Sequence, residues 1–314
     1  MNQTDNNGIT HMSLHPLAAR RLSDTTKTRP MMESITPRWF LDFLPWVPVQ
    51  AGIYRVNRIK RMLDANEPVN DYGEKLIESK HTPIDEEWIT ETYPDYEAQP
   101  DEYMLSVVQT ILRLNTNVTD IFNCPYNQKD EQVRLTIEAM RERQEWEMIN
   151  NPEFGLLHVA APDMRVSTRQ GAPTPDDLDE LLALVWKKPA FFLAHPKAIA
   201  AFGRECTKRG VPPVAVHIMG SPFITWRGVP IVPCDKLMVG CHMNPRRCGG
   251  RTNILLVRVG EAEQGVIGLH QPGIPDETDI PSLSMRLAGI DNRGIASYIL
   301  SLYFSVAVLA SDAL

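Results

Sequence analysis

The chain of 314 residues is 43% hydrophobic and 23% charged, with a formal net charge of −7. That is the balance of a folded globular protein, and it excludes general disorder and an electrostatic grip on nucleic acid as the main task. No apolar core follows a basic start, and Ile295 to Ala310 is broken by Ser297, Ser301 and Ser305, so no leader peptide and no membrane span are expected. A cytoplasmic location follows, where the five cysteines stay reduced.

Residues 1–12 are polar. Ser13 to Pro48 then combines five prolines with the aromatics Trp39, Phe40, Phe43 and Trp46, after a short amphipathic stretch from Leu14 to Leu22. Prolines hold a backbone extended, whereas Trp and Phe need a surface to bury against. This leader cannot form a core with itself. It is expected to pack on a distant part of the same fold or on a neighbouring subunit.

Ile53 to Arg58 reads as a strand, and another is expected near Tyr93 to Tyr96. Between them residues 60–92 are polar and charged, including Asp85, Glu86 and Glu87, which predicts a projecting hairpin. Glu102 to Asn115 fits strand or helix. Asp130 to Asn150 predicts one long one-faced helix, with Asp130 as N-cap, Val133, Ile137 and Met140 at helical spacing, and Pro152 as the stop.

Thr174-Pro175-Asp176-Asp177 has the chemistry of a helix start: a capping hydroxyl, proline at the first helical position, and acids facing the dipole. Leu178, Leu181, Leu182 and Val185 supply its apolar stripe. Phe191 to Ala194 reads as a short buried strand. Pro196 opens a helix with Ile199, Phe202 and Cys206 on one face and Gly210 as its stop. Phe223 to Trp226, Val229 to Val232, Ile254 to Val259, Gly265 to Leu269 and Ser284 to Ile290 read as strands. Tyr298 to Val308 reads as a strand, or as a helix through Ile295, Ile299, Leu302, Val306 and Leu309. The class is α+β.

No nucleotide-binding loop, nucleophile elbow or paired-histidine metalloprotease pattern occurs. Cys234, Cys241 and Cys248 lie seven apart beside His242, without the close pair that a zinc knuckle needs, so they read as loop thiols. His195 before Pro196 reads as a turn-fixing residue, and His217 and His270 as core or loop histidines. Arg246, Arg247 and Arg251 form a basic loop. The residues therefore supply no catalytic, cofactor or metal site. A soluble enzyme without a local motif and a peripheral membrane or surface-interaction protein are the competing readings.

Several stretches together carry a resemblance: SITPRWFLDFLPWVPVQAGIYRVNR (34–58), VRLTIEAMRERQEWEMINNPEFGLL (133–157), GAPTPDDLD (171–179), KPAFFLAHPKAIAAFGRECTKRGVPP (188–213), FITWRGVPIVPCDK (223–236) and QGVIGLHQPG (264–273). Collinear over most of the chain, they resemble the family 2A encapsulins. The resemblance implies the tailed-phage major capsid fold, with residues 1–48 as N-terminal arm and 49–100 as E-loop. It implies a P-domain with the spine helix at 101–164, an A-domain at 165–283, and a return to the P-domain at 284–314. It makes Trp39, Phe40, Phe43 and Trp46 anchors in a neighbouring subunit. It also places Arg209, Gly210, Val211, Pro212, Pro213, His217 and Gly220 in a loop at the five-fold pore.

The function implied is a non-enzymatic shell subunit that assembles with itself into a closed icosahedral compartment, T=1 with 60 copies. The implied cargo is a cysteine desulfurase, and the implied role is sulfur storage. The shell chain would bind no cofactor, because pyridoxal phosphate belongs to the cargo.

Overall fold

Apolar alternation and turn chemistry sort the chain into two five-stranded sheets that share one core. The computed structural model describes residues 3–4, 10–11, 37–50, 52–56, 100–115, 128–169, 171–185, 187–240, 250–272 and 282–314. The amphipathic stretch at Leu14 to Leu22, the excursion at 60–92 and the strand expected at Tyr93 to Tyr96 lie outside the described residues. So do Cys124, Cys241, His242, Arg246, Arg247 and Cys248.

A short antiparallel pair, β1 (Gln3–Thr4) and β2 (Thr10–His11), comes first. The leader follows with helix α1 (Trp39–Phe43) and strand β3 (Trp46–Pro48). Residues Ile53–Met104 form a unit of their own, separate from the unit made by Met1–Gly52 and Leu105–Leu314. In that smaller unit β4 (Ile53–Val56) pairs antiparallel with β5 (Asp101–Met104), in the register Tyr54 to Tyr103. An Arg55–Glu102 ion pair at 2.9 Å lies across the ribbon.

In the larger unit β6 (Ser106–Asn115) settles the ambiguity at 102–115 in favour of strand. Helix α2 (Gln128–Asn150) begins two residues before its expected cap, so Asp130 lies inside the first turn. It is not one-faced either. Leu135 near its start is exposed, while Gln144, Glu145, Met148 and Ile149 near its end are all buried. Its last turns are sunk into the protein, and there the charged residues face inward as well as outward. The short helix α3 (Leu156–Val159) follows.

Helix α4 (Pro175–Leu184) starts as its sequence dictates. The Thr174 hydroxyl accepts from the Asp177 amide, while the Asp177 carboxylate accepts from the Thr174 amide. Such a capping box contributes about 1 kcal/mol. Strand β7 (Phe191–Ala194) leads to helix α5 (Pro196–Lys208), where His195 caps the start by accepting from the Lys197 amide at 3.0 Å. Then come β8 (Val214–Ile218), β9 (Ser221–Trp226), β10 (Val229–Pro233) and β11 (Ile254–Val257). The chain finishes with β12 (Val266–His270), β13 (Leu283–Ile290) and β14 (Ile295–Val308).

The first sheet has the order β11-β7-β10-β9-β8. It is buried on both faces where β7 runs. Phe191 and Leu193 point into one core cluster with Phe223, Val232 and Val257, and Phe192 and Ala194 into another with Leu178, Phe202 and Ile231. A strand covered on both sides reads as the unbroken apolar run FFLA, since every position is inside. Helices α4 and α5 cover the second cluster.

The second sheet has the order β13-β14-β12-β3, with β6 also paired to β14. Strand β14 resolves the strand-or-helix ambiguity through its period of two. Tyr298, Leu300, Leu302, Phe304 and Val306 join the shared core, while Ser297, Ile299, Ser301, Tyr303 and Ser305 alternate with them. Helix α2 packs on this sheet through Met140, Met148 and Ile149.

Candidate functional site

The leader aromatics do not wait for a neighbour. Phe40 is 0% exposed in the single chain. Trp39 meets Phe223 edge-on at 5.3 Å, and Phe43 meets Phe191 at 5.5 Å and Phe223 at 5.8 Å. Trp46 donates from Nε1 to the Leu41 carbonyl at 2.9 Å and lies 6.2 Å from the His270 ring. Strand β3 runs parallel to β12, pairing Trp46 with Gly268, where a Cβ would come within 2.7 Å of the Trp46 ring. Each edge-on pair contributes about 0.5–1.5 kcal/mol beyond its burial. Within the single chain, then, Phe40 is enclosed and Trp39, Phe43 and Trp46 are half-buried against its core. A one-turn helix followed by an edge strand turns these side chains into the core shared by the two sheets, which is built from residues far away in sequence.

The loop assigned to a pore also divides. Arg209 caps the C-terminus of α5 and pairs with Asp176 at 2.7 Å, and Gly210 follows with φ 71. Val211, Pro212 and Pro213 complete a connection into β8. His217 lies within that strand and is exposed, not in a core. Gly220 sits at the far end, in the two-residue turn Met219-Gly220, with φ 51 and 76. Two positive φ values in succession are the geometry that joins twisted antiparallel strands tightly. The seven residues are thus a loop, a strand and a turn, not one loop.

What the sequence reading missed is the strand itself. Val214, Val216 and Ile218 alternate as a strand should, but the preceding Pro212-Pro213 reads as loop. β8 stands at the end of its sheet and, among the described residues, pairs only with β9. It carries no charge and no proline. Val214 is 68% exposed, and Val211, Val216 and Met219 are exposed around it. An uncharged apolar edge strand is a template for pairing with another chain. A second apolar exposure lies on β6 and β14, where Ile111 faces Ile299 in register and Val107 faces Tyr303.

A third feature is polar and hidden. Arg38, beside α1, pairs with Glu138 and, at 2.8 Å, with Glu142 on α2. Lys236 reaches Glu142 at 2.6 Å, Asp235 at 2.8 Å and Glu145 at 4.0 Å. Glu145 is 0% exposed; its Oε1 accepts from the Cys234 thiol at 3.8 Å, and its Oε2 has no hydrogen-bond partner. Burial pushes Glu145 up to about 8, opposed by Lys236 and reinforced by Glu142 and Asp235. Burial likewise pushes the Cys234 thiol up. Burial lowers Lys236, but its bonds to Asp235 and Glu142 more than offset that and leave it raised.

Cys234 is thus a loop thiol, in the turn after β10, but a buried one. Ligand atoms of Glu145, Cys234 and Asp235 lie within 4.8 Å of one another, but the Lys236 ammonium already serves as the cation beside them. The protonated thiol is a poor metal ligand.

Known proteins share this architecture. The description "Type 2A encapsulin shell protein SrpI-like" matches residues 62–314. The Type 2A encapsulin shell protein SrpI of Synechococcus elongatus is 52% identical over 311 residues, covering 99% of this chain and 94% of that protein. The Type 2A encapsulin shell protein of Mycolicibacterium paratuberculosis is 49% identical over 302 residues, covering 96% and 92%. The cryo-electron microscopy structure of the holo-SrpI encapsulin complex from Synechococcus elongatus superposes with a TM-score of 0.75, at 50% identity over 96% of this chain and 94% of that one. The capsid of a native GTA particle shares the fold at 11% identity, with a TM-score of 0.55 and coverage of 96% and 97%. No helix among the described residues is long and apolar enough to cross a membrane. With the tailed-phage capsid fold, and with matches spanning most of its length, this chain belongs to the SrpI-like type 2A encapsulin shell proteins and forms capsid-like shells.

Proposed function

We propose that 60 copies of this chain close into a T=1 icosahedral shell around a cysteine desulfurase, in the cytoplasm and in the service of sulfur storage. On this reading the chain is not an enzyme and holds no cofactor. Pyridoxal phosphate belongs to the cargo. The observation that carries self-assembly is the exposed apolar edge of β8. A shell needs contacts between unlike surfaces whose rotations close, and an uncharged edge strand with Val214 and Val216 offers one such surface. The cargo part rests on the resemblance of the chain to its family, supported by the holo complex described for the Synechococcus relative.

The test is purification without a tag, followed by particle imaging and mass spectrometry of whatever co-purifies. The expected result is uniform particles of 60 copies of the 35.5 kDa chain, together with a pyridoxal-phosphate enzyme. Free chains or dimers would overturn the shell. Intact particles enclosing some other protein would overturn the cargo assignment alone. If β8 borders the five-fold axis, V211C and M219C tell its two ends apart. The end at the axis gives cross-linked ladders that stop at five copies, and the other end gives none.

A further inference from the structure

The buried carboxylate of Glu145 is not accounted for by shell building. With its surroundings it makes a cluster of four carboxylates, Glu138, Glu142, Glu145 and Asp235, against two cations, Arg38 and Lys236. Lys236 is already engaged by Glu142 and Asp235 at hydrogen-bond distance and stays 4.0 Å from Glu145. The remaining contact of Glu145 is the thiol of Cys234. A fully buried carboxylate with one orphan oxygen, two like charges nearby and only a shared cation is an unfavourable place for charge.

The cluster also joins three parts of the chain. Arg38 belongs to the leader, Glu138 to Glu145 lie on α2, and Cys234 to Lys236 form the turn after β10. Asn150 ties α2 to the same turn by donating to the Lys236 carbonyl at 2.9 Å.

We infer that Glu145 is a proton-operated latch: protonated, it lets the leader, α2 and the Cys234–Lys236 turn share one ion network, and ionised, it sets a buried charge against Glu142 and Asp235 and loosens that junction. The raised value of Glu145, about 8, puts the change on the alkaline side of neutrality. The groups facing it are Arg38 from the leader, Glu142 from its own helix, and Cys234, Asp235 and Lys236 from the turn. Of these, Arg38 and Lys236 favour ionisation, while Glu142 and Asp235 oppose it. The latch belongs to the single chain and holds whether or not the shell has the size and cargo proposed above.

Infrared difference spectra between pH 6 and 10 read the proton directly, through the carbonyl stretch of a neutral carboxylic acid. Wild-type protein is expected to lose one such band with a midpoint near 8, and Glu145→Gln to lack it. Hydrogen exchange of residues 37–49, corrected for the base catalysis of free peptides, reads the junction. Wild-type exchange is expected to rise at least tenfold across the same midpoint, and that of Glu145→Gln to stay flat.

Asp235→Asn supplies a second variant, which keeps its shape and removes a charge that opposes ionisation. Its midpoint is expected to fall by about half a unit to one unit. No band lost in wild type, an equal exchange rise in Glu145→Gln, or an unmoved midpoint in Asp235→Asn each overturns the latch. None of these readouts depends on the cargo or the number of copies, so a failed shell and a failed latch give different results.

Discussion

The leader Pro37–Val49 and the strand β8 invert what their residues suggest. The leader is rich in proline and aromatics and reads as an arm looking for another molecule, yet it is packed into its own chain, with Phe40 fully enclosed. The sequence Val-Ala-Val-His-Ile of β8 is uncharged and alternates as a strand although it lies in a stretch read as loop, and it is the exposed one, with Val214 at 68%. Burial is decided by what packs against each strand, not by composition. Both are end strands, but β3 beside β12 packs Trp46 against the shared core, whereas of the apolar β8 side chains Ile218 packs there and Val214 and Val216 stay exposed. On the proposed reading β8 is a surface that a second copy covers, while the leader is part of what holds the protomer together.

The largest effect expected from this contrast is in the leader. Phe40→Ala should cost the single chain about 3–5 kcal/mol, since it empties a fully enclosed site. Denaturant unfolding of the unassembled chain measures it. Gly268→Ala, which forces a methyl against the Trp46 ring, should cost about 1–3 kcal/mol by overpacking. If both variants unfolded like wild type and failed only in assembly, the leader would be an inter-subunit arm after all and the contrast would break.

The opposite pattern is expected in β8. Val214→Ser and Val216→Ser should change the stability of the single chain by no more than about 0.5 kcal/mol, because these side chains already face solvent. Combined, they should reduce the yield of assembled particles at least tenfold by light scattering. Normal particles from the double variant would remove β8 from the list of assembly surfaces.

Local chemistry was legible in the sequence; pairing across distance was not. Thr174 with Asp177, His195 before Pro196, and Gly210 after α5 act within a turn of themselves, and their roles could be read in place. Strand β7 could be read because both its faces are inside, so no alternation had to be found. The partners of Trp39 and Phe43, Phe223 and Phe191, lie 184 and 148 residues away, and nothing in the leader names them. Glu145 was hidden for a related reason. It falls in a run of charges that looks solvated from Arg141 to Glu147, and only the sinking of the last turns of α2 makes it a buried acid. In β8 the alternation was present, but the two prolines before it drew the reading toward loop.

The smallest expected effect concerns how the exposed sheet is held. Asp179 on α4 accepts from Trp226 Nε1 at 2.7 Å and from Arg227 at 3.1 and 2.9 Å, clipping the turn between β9 and β10 to the helix. The hydrogen bonds from Arg227 lead in holding the Asp179 carboxyl below its ordinary value, against the opposing effect of burial. A lowered carboxyl stabilises the fold above its unfolded value, near 3.8, and that stabilisation is lost as pH falls through the lower folded value. Asp179→Asn keeps an oxygen for Trp226 but cannot serve every Arg227 donor. Since the clip is partly exposed and screened by solvent, the cost at neutral pH should be below about 1 kcal/mol. The gap between variant and wild type, read from denaturant midpoints, should close as pH falls below about 4. A gap that stayed constant down to acid pH would mean that the shape of the acceptor, not its charge, holds the turn. The sheet bearing β8 would then depend on packing as the leader does, and the difference between the two regions would shrink to their exposure alone.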